Sequence, residues 1–154
     1  MVGEVVVDPL AFALAPSSAC GELFYGGAGE PELLLVSDLP LKGSFRPTTV
    51  AMNEGVRQIL AQRGFEAGGF TVGFQACDPS SAQTGDSDFF RCGSNAKAYA
   101  RDLRVIGVFG SFHSPCTYLQ LPIANRASGG PLAMISPSNT YMELTENEEL
   151  LPDG

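Results

Sequence analysis

Hydroxyl side chains follow two short apolar segments in the second half of the chain. Ser111, Ser114 and Thr117 come after the first segment, and Ser136, Ser138 and Thr140 come after the second. Hydroxyl groups and backbone N–H groups can hold a carboxylate without a charged side chain, and they activate no nucleophile. Helix capping needs only one or two of these six residues. The remaining hydroxyls predict a site that reversibly binds a small anion or zwitterion.

Both apolar segments have the pattern of buried parallel strands. Residues 105–109 and 132–135 are short runs bounded by Gly and Pro, which is typical of strands covered on both faces. The Ser114-Pro115 pair predicts a helix start, with Ser114 as the N-cap and Pro115 in the first turn. Ligands of open α/β sheets bind at the carboxyl ends of the strands, where helix N-termini favour negative charge. We therefore expect the hydroxyls to lie together at that edge.

His113 is the only histidine, so a hydrolase built on a serine or cysteine nucleophile would need it as the base. Ser111, Ser114 and Cys116 are close in sequence, and Asp38 could orient the imidazole if the first and third strands are neighbours. No G-x-S-x-G motif surrounds any of these residues. We expect no catalytic residue, and a hydrolase that uses His113 is the less favoured alternative.

Four predicted strands alternate with three predicted helices. The strands are residues 33–37, 70–76, 105–109 and 132–135, and the helices are residues 47–63, 88–102 and 115–126. Connections of this length suit crossover helices, so the strands are expected to run mostly parallel. Such crossovers are almost always right-handed. The sequence therefore predicts an α/β fold with a doubly wound, mostly parallel sheet and helices on both faces.

Composition excludes several classes of function. The chain has 154 residues, 44% of them hydrophobic, which is enough for one globular domain with a core. Its formal net charge of −8 argues against binding to nucleic acid or to an anionic membrane surface. The glycine-rich segments match neither G-x-x-x-x-G-K-[ST] nor G-x-G-x-x-G after the first strand. We expect no cofactor and no metal.

The four cysteines favour disulfide bonds over a zinc site. They are Cys20, Cys77, Cys92 and Cys116, and no C-x-x-C pair occurs among them. Either two disulfides form, or one disulfide and two buried thiols, and both suit an oxidising compartment. Three connectivities are possible for two bridges. We favour a Cys77–Cys92 bridge, which would close a loop rich in Gly, Ser and Asp.

The ends of the chain differ from its centre. Apolar residues show no sustained periodicity in residues 1–31. We expect this segment to form an irregular extension with a short strand near residues 3–7. Residues 32–145 are the expected folded lobe, and residues 146–154 are an acidic tail. The first residues lack a basic region and a long apolar core, so no signal sequence is expected within this chain.

Four segments occur in an order and at a spacing that resemble one known family. They are LPLKG at 39–43 with Gly55 after it, QACDP at 75–79, IGVFGSFHS at 106–114 and MISPSNTYMELT at 134–145. This pattern resembles the N-terminal lobe of type I periplasmic binding proteins, in the branched-chain amino-acid-binding group of ABC importers. The resemblance runs from Leu33 to Thr145. It implies the strand order 2-1-3-4 and one lobe of a two-lobed protein, so we expect the chain to be a fragment.

The resemblance also implies what the hydroxyls do. Ser114 matches a serine that binds the ligand's carboxylate, Ser138 matches a position whose backbone contacts the ligand, and Thr140 matches a threonine that holds both ends of a zwitterion. Ser111 and His113 complete the set of candidate ligand-binding residues. The family's partner of Cys77 matches His113, so the resemblance implies that Cys92 or Cys116 takes over that disulfide.

The expected function is therefore non-catalytic. The lobe would recognise an amino acid or a similar small carboxylate for ABC-type uptake outside the cytoplasm, with the missing second lobe and an ABC permease as partners. Its alternative is a ligand sensor in a regulatory or receptor protein. An exposed face between the lobes could also make the fragment a homodimer.

Overall fold

The computed structural model describes residues 19–82 and 84–145. Its elements in chain order are β1 (Cys20–Phe24), β2 (Leu33–Asp38), α1 (Arg46–Gln62), β3 (Glu66–Ala67), β4 (Phe70–Cys77), α2 (Phe89–Tyr99), β5 (Val105–Gly110), α3 (Ser114–Ala124), β6 (Ala133–Ile135) and a short 3-10 turn (Met142–Leu144). All four predicted strands and all three predicted helices form. The largest difference is at α2, which ends at Tyr99 and not at residue 102.

The sheet has the order β1-β4-β2-β5-β6, and β3 pairs with β4 beside it. The pairs β2–β4, β2–β5 and β5–β6 are parallel. The predicted order 2-1-3-4 corresponds to β4-β2-β5-β6 and is confirmed. The mostly parallel α/β fold class is confirmed with it.

The prediction of an irregular segment before residue 32 is wrong for residues 20–24. These residues form β1, which runs antiparallel to β4 at the edge of the sheet. The side chain of Gln75 supports the pairing, because its Nε2 donates to the carbonyl oxygen of Gly21 at 2.6 Å. The strand predicted near residues 3–7 and the acidic tail lie outside the described residues. The boundaries of the lobe stay a prediction.

Helices cover both faces of the sheet because β2 alternates its side chains between two cores. Leu34 and Val36 pack with residues of α2, β5 and α3 on one face. Leu33 and Leu35 pack against a second cluster that includes Leu60 of α1 on the other face. This alternation is the period of two that a strand imposes. The predicted double winding follows from it.

The disulfides differ from the predicted bridge. Cys20 pairs with Cys77, and Cys92 pairs with Cys116. The favoured Cys77–Cys92 bridge is wrong, and so is the expectation that Cys92 or Cys116 bonds Cys77. Cys77 ends β4 directly opposite Cys20 in the register of β1, whereas Cys92 lies within α2 and joins it to α3. Each bridge therefore fastens neighbouring elements.

Candidate functional site

The loops after β5 and β6 bring the predicted hydroxyls together. β5 ends at Gly110, whose backbone has a φ of +141° and approaches β2 closely. A Cβ atom at this position would lie 2.6 Å from the carbonyl oxygen of Asp38. Glycine therefore lets the end of β5 pack against the end of β2, and the chain then enters α3.

Helix α3 begins one residue from the predicted place. Ser114 is already helical, and His113 is the N-cap, with the extended backbone of a cap residue at φ −103° and ψ 133°. The prediction of Ser114 as the N-cap is therefore wrong by one position, while Pro115 does lie in the first turn. The side chain of His113 makes no capping hydrogen bond. The Ser114 hydroxyl is thus available for a role other than capping.

Hydrogen bonds join the two loops. The Ser136 hydroxyl donates to the carbonyl oxygen of Ser111 at 2.7 Å, and it accepts from the backbone N–H of Ser138 at 3.3 Å and of Asn139 at 3.1 Å. Farther along, the N–H of Thr140 donates to the Ser114 hydroxyl at 3.3 Å. Residues 111–114 and 136–140 therefore form one hydrogen-bonded cluster.

Several hydroxyls serve this framework. Ser111 is buried, and its hydroxyl donates to the carbonyl oxygen of His113 at 3.1 Å. The Thr117 hydroxyl accepts from Asn139 Nδ2 at 2.6 Å. Hydrogen bonds within and between the loops therefore engage more of the six hydroxyls than the one or two that helix capping would need. Ser138 and Thr140 are exposed, and Ser114 is half-buried.

An open cavity of about 770 Å³ lies at this cluster. Its lining consists of Phe89, Ser114, Pro115, Tyr118, Leu119, Thr140, Tyr141 and Glu143. Two of the five predicted site residues, Ser114 and Thr140, thus share one cavity. Ser111, His113 and Ser138 lie beside it in the loops and do not line it.

Sequence reasoning did not find the aromatic and acidic part of this lining. Phe89 begins α2, where Asp88 accepts from the N–H groups of Phe90 at 2.9 Å and Arg91 at 3.2 Å. Tyr118 lies one helical turn after Ser114 on α3, so spacing alone places both on one face. The Tyr141 hydroxyl donates to Glu143 Oε2, and this bond raises the pKa of Tyr141.

His113 is held away from this cavity. Its Nδ1 lies 2.7 Å from the Ser87 hydroxyl, and its ring packs against the rings of Phe45 and Phe112, with centroids 5.1 Å apart in both cases. Burial lowers the pKa of His113, although the charge of Asp86 opposes this shift. His113 is therefore a neutral polar residue just after the end of β5.

Asp38 does not orient His113. β2 and β5 are neighbours, as the hydrolase alternative required, but the Asp38 carboxyl points to the helices. It accepts hydrogen bonds from Asn95 Nδ2 at 2.8 Å and from Gln120 Nε2. Asp38 is fully buried, and burial raises its pKa to about 7 against the effect of these donors. The orientation of His113 by Asp38 that the hydrolase alternative proposed therefore does not occur.

No group of three or more His, Cys, Asp and Glu side chains within residues 19–82 and 84–145 is arranged to hold a metal ion. No helix in the same part of the chain has the length and apolar character needed to cross a membrane.

No protein-family model matches this sequence, and no curated protein is similar to it at the sequence level. Solved structures do resemble it in fold. The branched-chain amino acid substrate-binding protein LivJ from Streptococcus pneumoniae, in complex with isoleucine, has a TM-score of 0.58 at 19% identity, over 73% of this chain and 30% of its own. The leucine-binding protein LivK from Thermotoga maritima has a TM-score of 0.55 at 19% identity, over 71% and 28%.

A third neighbour binds a different compound. It is a solute-binding protein of an ABC transporter from Rhodopseudomonas palustris, in complex with 3,4-dihydroxybenzoic acid. Its TM-score is 0.57 at 13% identity, over 70% of this chain and 27% of its own. The chain thus spans less than a third of the length of each neighbour. It has the fold of one lobe of the type I periplasmic binding proteins that serve ABC transporters for branched-chain amino acids.

Proposed function

We propose that this chain is a non-catalytic, extracytoplasmic solute-binding lobe that captures an amino acid or a similar small carboxylate for ABC-type uptake. One observation carries the proposal. Ser114 and Thr140, which follow different strands, line the same cavity at the carboxyl edge of the sheet. Open α/β sheets bind their ligands at this edge.

The chemistry of the cavity suits a carboxylate. Ser114 stands at the start of α3, where the helix dipole is positive and backbone N–H groups point outward. Its hydroxyl can donate to a ligand oxygen while it accepts from the N–H of Thr140. The exposed Thr140 hydroxyl can donate to the carboxylate and accept from an ammonium group. Exposed Ser138 offers backbone contacts from the same loop, and the Ser111 carbonyl oxygen holds that loop by accepting from the Ser136 hydroxyl. His113 lies beside the site, where Ser87 contacts its ring.

The second lobe and an ABC permease are part of this proposal. A single lobe leaves one side of its ligand in water, so it lacks the contacts that a closed two-lobed site would add. Each tenfold loss of affinity corresponds to about 1.4 kcal/mol. We therefore expect this chain alone to bind more weakly than a protein that carries both lobes.

The first test is a screen for ligands. Thermal unfolding of this chain would be followed with each of the twenty amino acids and with common small carboxylates at millimolar concentration. Stabilisation by one chemical class supports the proposal, because a ligand that binds only the folded state raises its stability. If no compound in either class stabilises the chain and none causes chemical-shift changes at the Ser114 and Thr140 amides, the proposal is wrong.

Ser114→Ala and Thr140→Ala are each expected to weaken binding of the ligand found in that screen by about tenfold, because each removes a hydrogen bond to a charged group. Both side chains reach the cavity surface, so the free energy of unfolding should change little. Isothermal titration calorimetry measures the affinity.

Ser128→Ala is the matched control. Ser128 is exposed and lies after α3, at its opposite end from Ser114. This variant should bind like the unmodified chain. Affinities of Ser114→Ala and Thr140→Ala that equal that of the control would contradict the assignment of the two hydroxyls.

A further inference from the structure

Three aromatic rings converge on the cavity from three separate elements. Phe89 comes from the start of α2, Tyr118 from α3 and Tyr141 from the segment after β6. Their exposed fractions are 58%, 50% and 48%. Single exposed apolar residues are common on protein surfaces, but apolar residues clustered in a concave site indicate a binding surface.

Packing within the protein does not explain these rings. The ring contacts of the described residues involve Phe24, Tyr25 and Phe65 on one side and Phe45, Phe112 and His113 on the other. None of these rings belongs to the cavity. Leu119 and Pro115 are the other apolar residues of the lining. A bound ring would therefore contact aromatic side chains that are not already packed against other rings.

Glu143 gives the cavity its charge. It is the one ionisable acid or base, apart from the two tyrosines, among the described residues of the lining. Its carboxylate accepts from the Tyr141 hydroxyl and has further lone pairs for an ammonium group. A carboxylate in one part of the lining and hydroxyls at the start of α3 in another complement a zwitterion.

The cavity is open, and its lining rather than its volume determines which side chain it suits. Its volume of about 770 Å³ falls within the range of roughly 300–1,000 Å³ that is usual for small-molecule sites. An aromatic side chain can use the available surface by stacking against Tyr118 and Phe89. Leucine or isoleucine would leave part of that surface in contact with water.

We propose that this cavity selects an aromatic amino acid, with its ring against Tyr118 and Phe89, its ammonium group on Glu143 and its carboxylate at Ser114 and Thr140. This inference rests on the proposed function and deepens it by naming the class of ligand. It commits the site to an aromatic zwitterion in preference to an aliphatic one.

The test compares ligands and variants by calorimetry on the full chain. L-phenylalanine is expected to bind at least tenfold more tightly than L-leucine. Tyr118→Ala should weaken L-phenylalanine about tenfold and L-leucine less than threefold, while Tyr118→Phe should keep the affinity for L-phenylalanine. Phe89→Ala should likewise weaken L-phenylalanine more than L-leucine, and Phe90→Ala is its matched control. Phe90 is 83% exposed and is adjacent in sequence, but it does not line the cavity.

A second pair of ligands tests Glu143. L-phenylalanine carries an ammonium group, and 3-phenylpropionate is the same molecule without it. Glu143→Gln keeps an acceptor for the Tyr141 hydroxyl but removes the charge. It should weaken L-phenylalanine about tenfold and leave 3-phenylpropionate unchanged.

The outcomes separate this inference from the proposed function. If L-leucine binds as tightly as L-phenylalanine and Tyr118→Ala weakens both equally, the aromatic preference is wrong and the amino-acid site stands. If Glu143→Gln affects both members of the second pair equally, the assignment of the ammonium contact is wrong. If no amino acid and no 3-phenylpropionate binds, the inference is overturned, and the proposed function is overturned with it only when the other small carboxylates of the screen also fail to bind.

Discussion

An Asp38→Asn variant is expected to lose most of the change in folding stability that this protein shows between about pH 4 and pH 7. Burial raises the pKa of Asp38 from 3.8 to about 7, while hydrogen bonds from Asn95 and Gln120 oppose the shift and the charge of Asp78 adds to it. Between these two values the folded chain holds a proton that the unfolded chain has released. The free energy of unfolding therefore falls as pH rises through this range.

The size of the effect follows from the gap between the two pKa values. From 3.8 to about 7, at about 1.4 kcal/mol for each pH unit, the contribution amounts to about 4 kcal/mol. The contribution of the protonated Asp38 to the free energy of unfolding is fully present below pH 4 and is lost above pH 7. An asparagine at this position does not titrate, so the variant should have a nearly flat profile over the same interval. Urea unfolding followed by circular dichroism at several pH values measures it.

Other titrating groups must be separated from Asp38. Burial lowers the pKa of His113, so this residue makes stability rise with pH near 6.5, the opposite sign. Hydrogen bonds and Lys42 lower the pKa of Asp78 despite its burial, and its contribution is lost only as pH falls below about 4. Both are present in the unmodified chain and in the variant, so the difference between the two profiles isolates Asp38.

Glu66→Gln is the control for this difference. Glu66 is exposed on the short strand β3, so this variant makes the same kind of acid-to-amide substitution at a site that is not buried. The Asp38 variant is also expected to fold, because the Gln120 amide can turn its buried, unpartnered Oε1 toward the new NH₂ group. If the profile of Asp38→Asn runs parallel to that of the unmodified chain, Asp38 does not titrate in this range.

The sequence predicted the parallel strands well because β2, β5 and β6 are short apolar runs and β4 alternates apolar residues. Residues of β2 alternate between two cores, so both sides of that strand must be apolar, and this leaves a clear signal in the sequence. β1 leaves a weaker one. Its middle residues 21–23 are exposed and include Gly21 and Glu22, and pairing with β4 and the Cys20–Cys77 bond hold it in place. Local pattern cannot reveal a strand that depends on its partner.

Some residues of the candidate site could likewise be found from local sequence pattern, and others could not. Ser114 and Thr140 could be found because each follows a strand that the pattern identifies. Phe89, Tyr118 and Glu143 reach the same cavity only through the packing of α2 and α3 and the path after β6. Likewise, Asp38 meets Asn95 and Gln120 across 57 and 82 residues of sequence. No spacing rule connects residues that lie so far apart.

The pairing of the cysteines was beyond sequence reasoning for a related reason. A bridge between Cys77 and Cys92 closes the shortest loop available to Cys77. In the structure, however, Cys92 lies in α2 and bonds Cys116, which lies in the neighbouring helix α3. Four cysteines permit three connectivities. The choice among them depends on the order of the strands and on which face of each helix is buried.

Replacement of both Cys92 and Cys116 by alanine is expected to lower the free energy of unfolding by about 3 kcal/mol. The bridge closes a segment with a sequence separation of 24, and its loss restores conformational freedom to the unfolded chain. Cys20→Ala with Cys77→Ala opens a segment of 57 residues, so the same argument gives about 4 kcal/mol. Urea unfolding of the two double variants measures both values.

The two double variants should differ in a second property, which is ligand affinity. Gln120 Nε2 donates both to Asp38 and to the carbonyl oxygen of Cys92, the latter at 3.1 Å, so the Cys92–Cys116 bridge and this buried network together hold α3 against α2. α3 carries Ser114 and Tyr118, and α2 carries Phe89, so a shift between these helices alters the cavity.

The Cys20–Cys77 bridge lies at the edge of the sheet, where it joins β1 to β4. Loss of the Cys92–Cys116 bridge should therefore weaken binding of the screened ligand severalfold, and loss of the other should not. Equal affinities for the two variants would show that α3 keeps its position without the bridge.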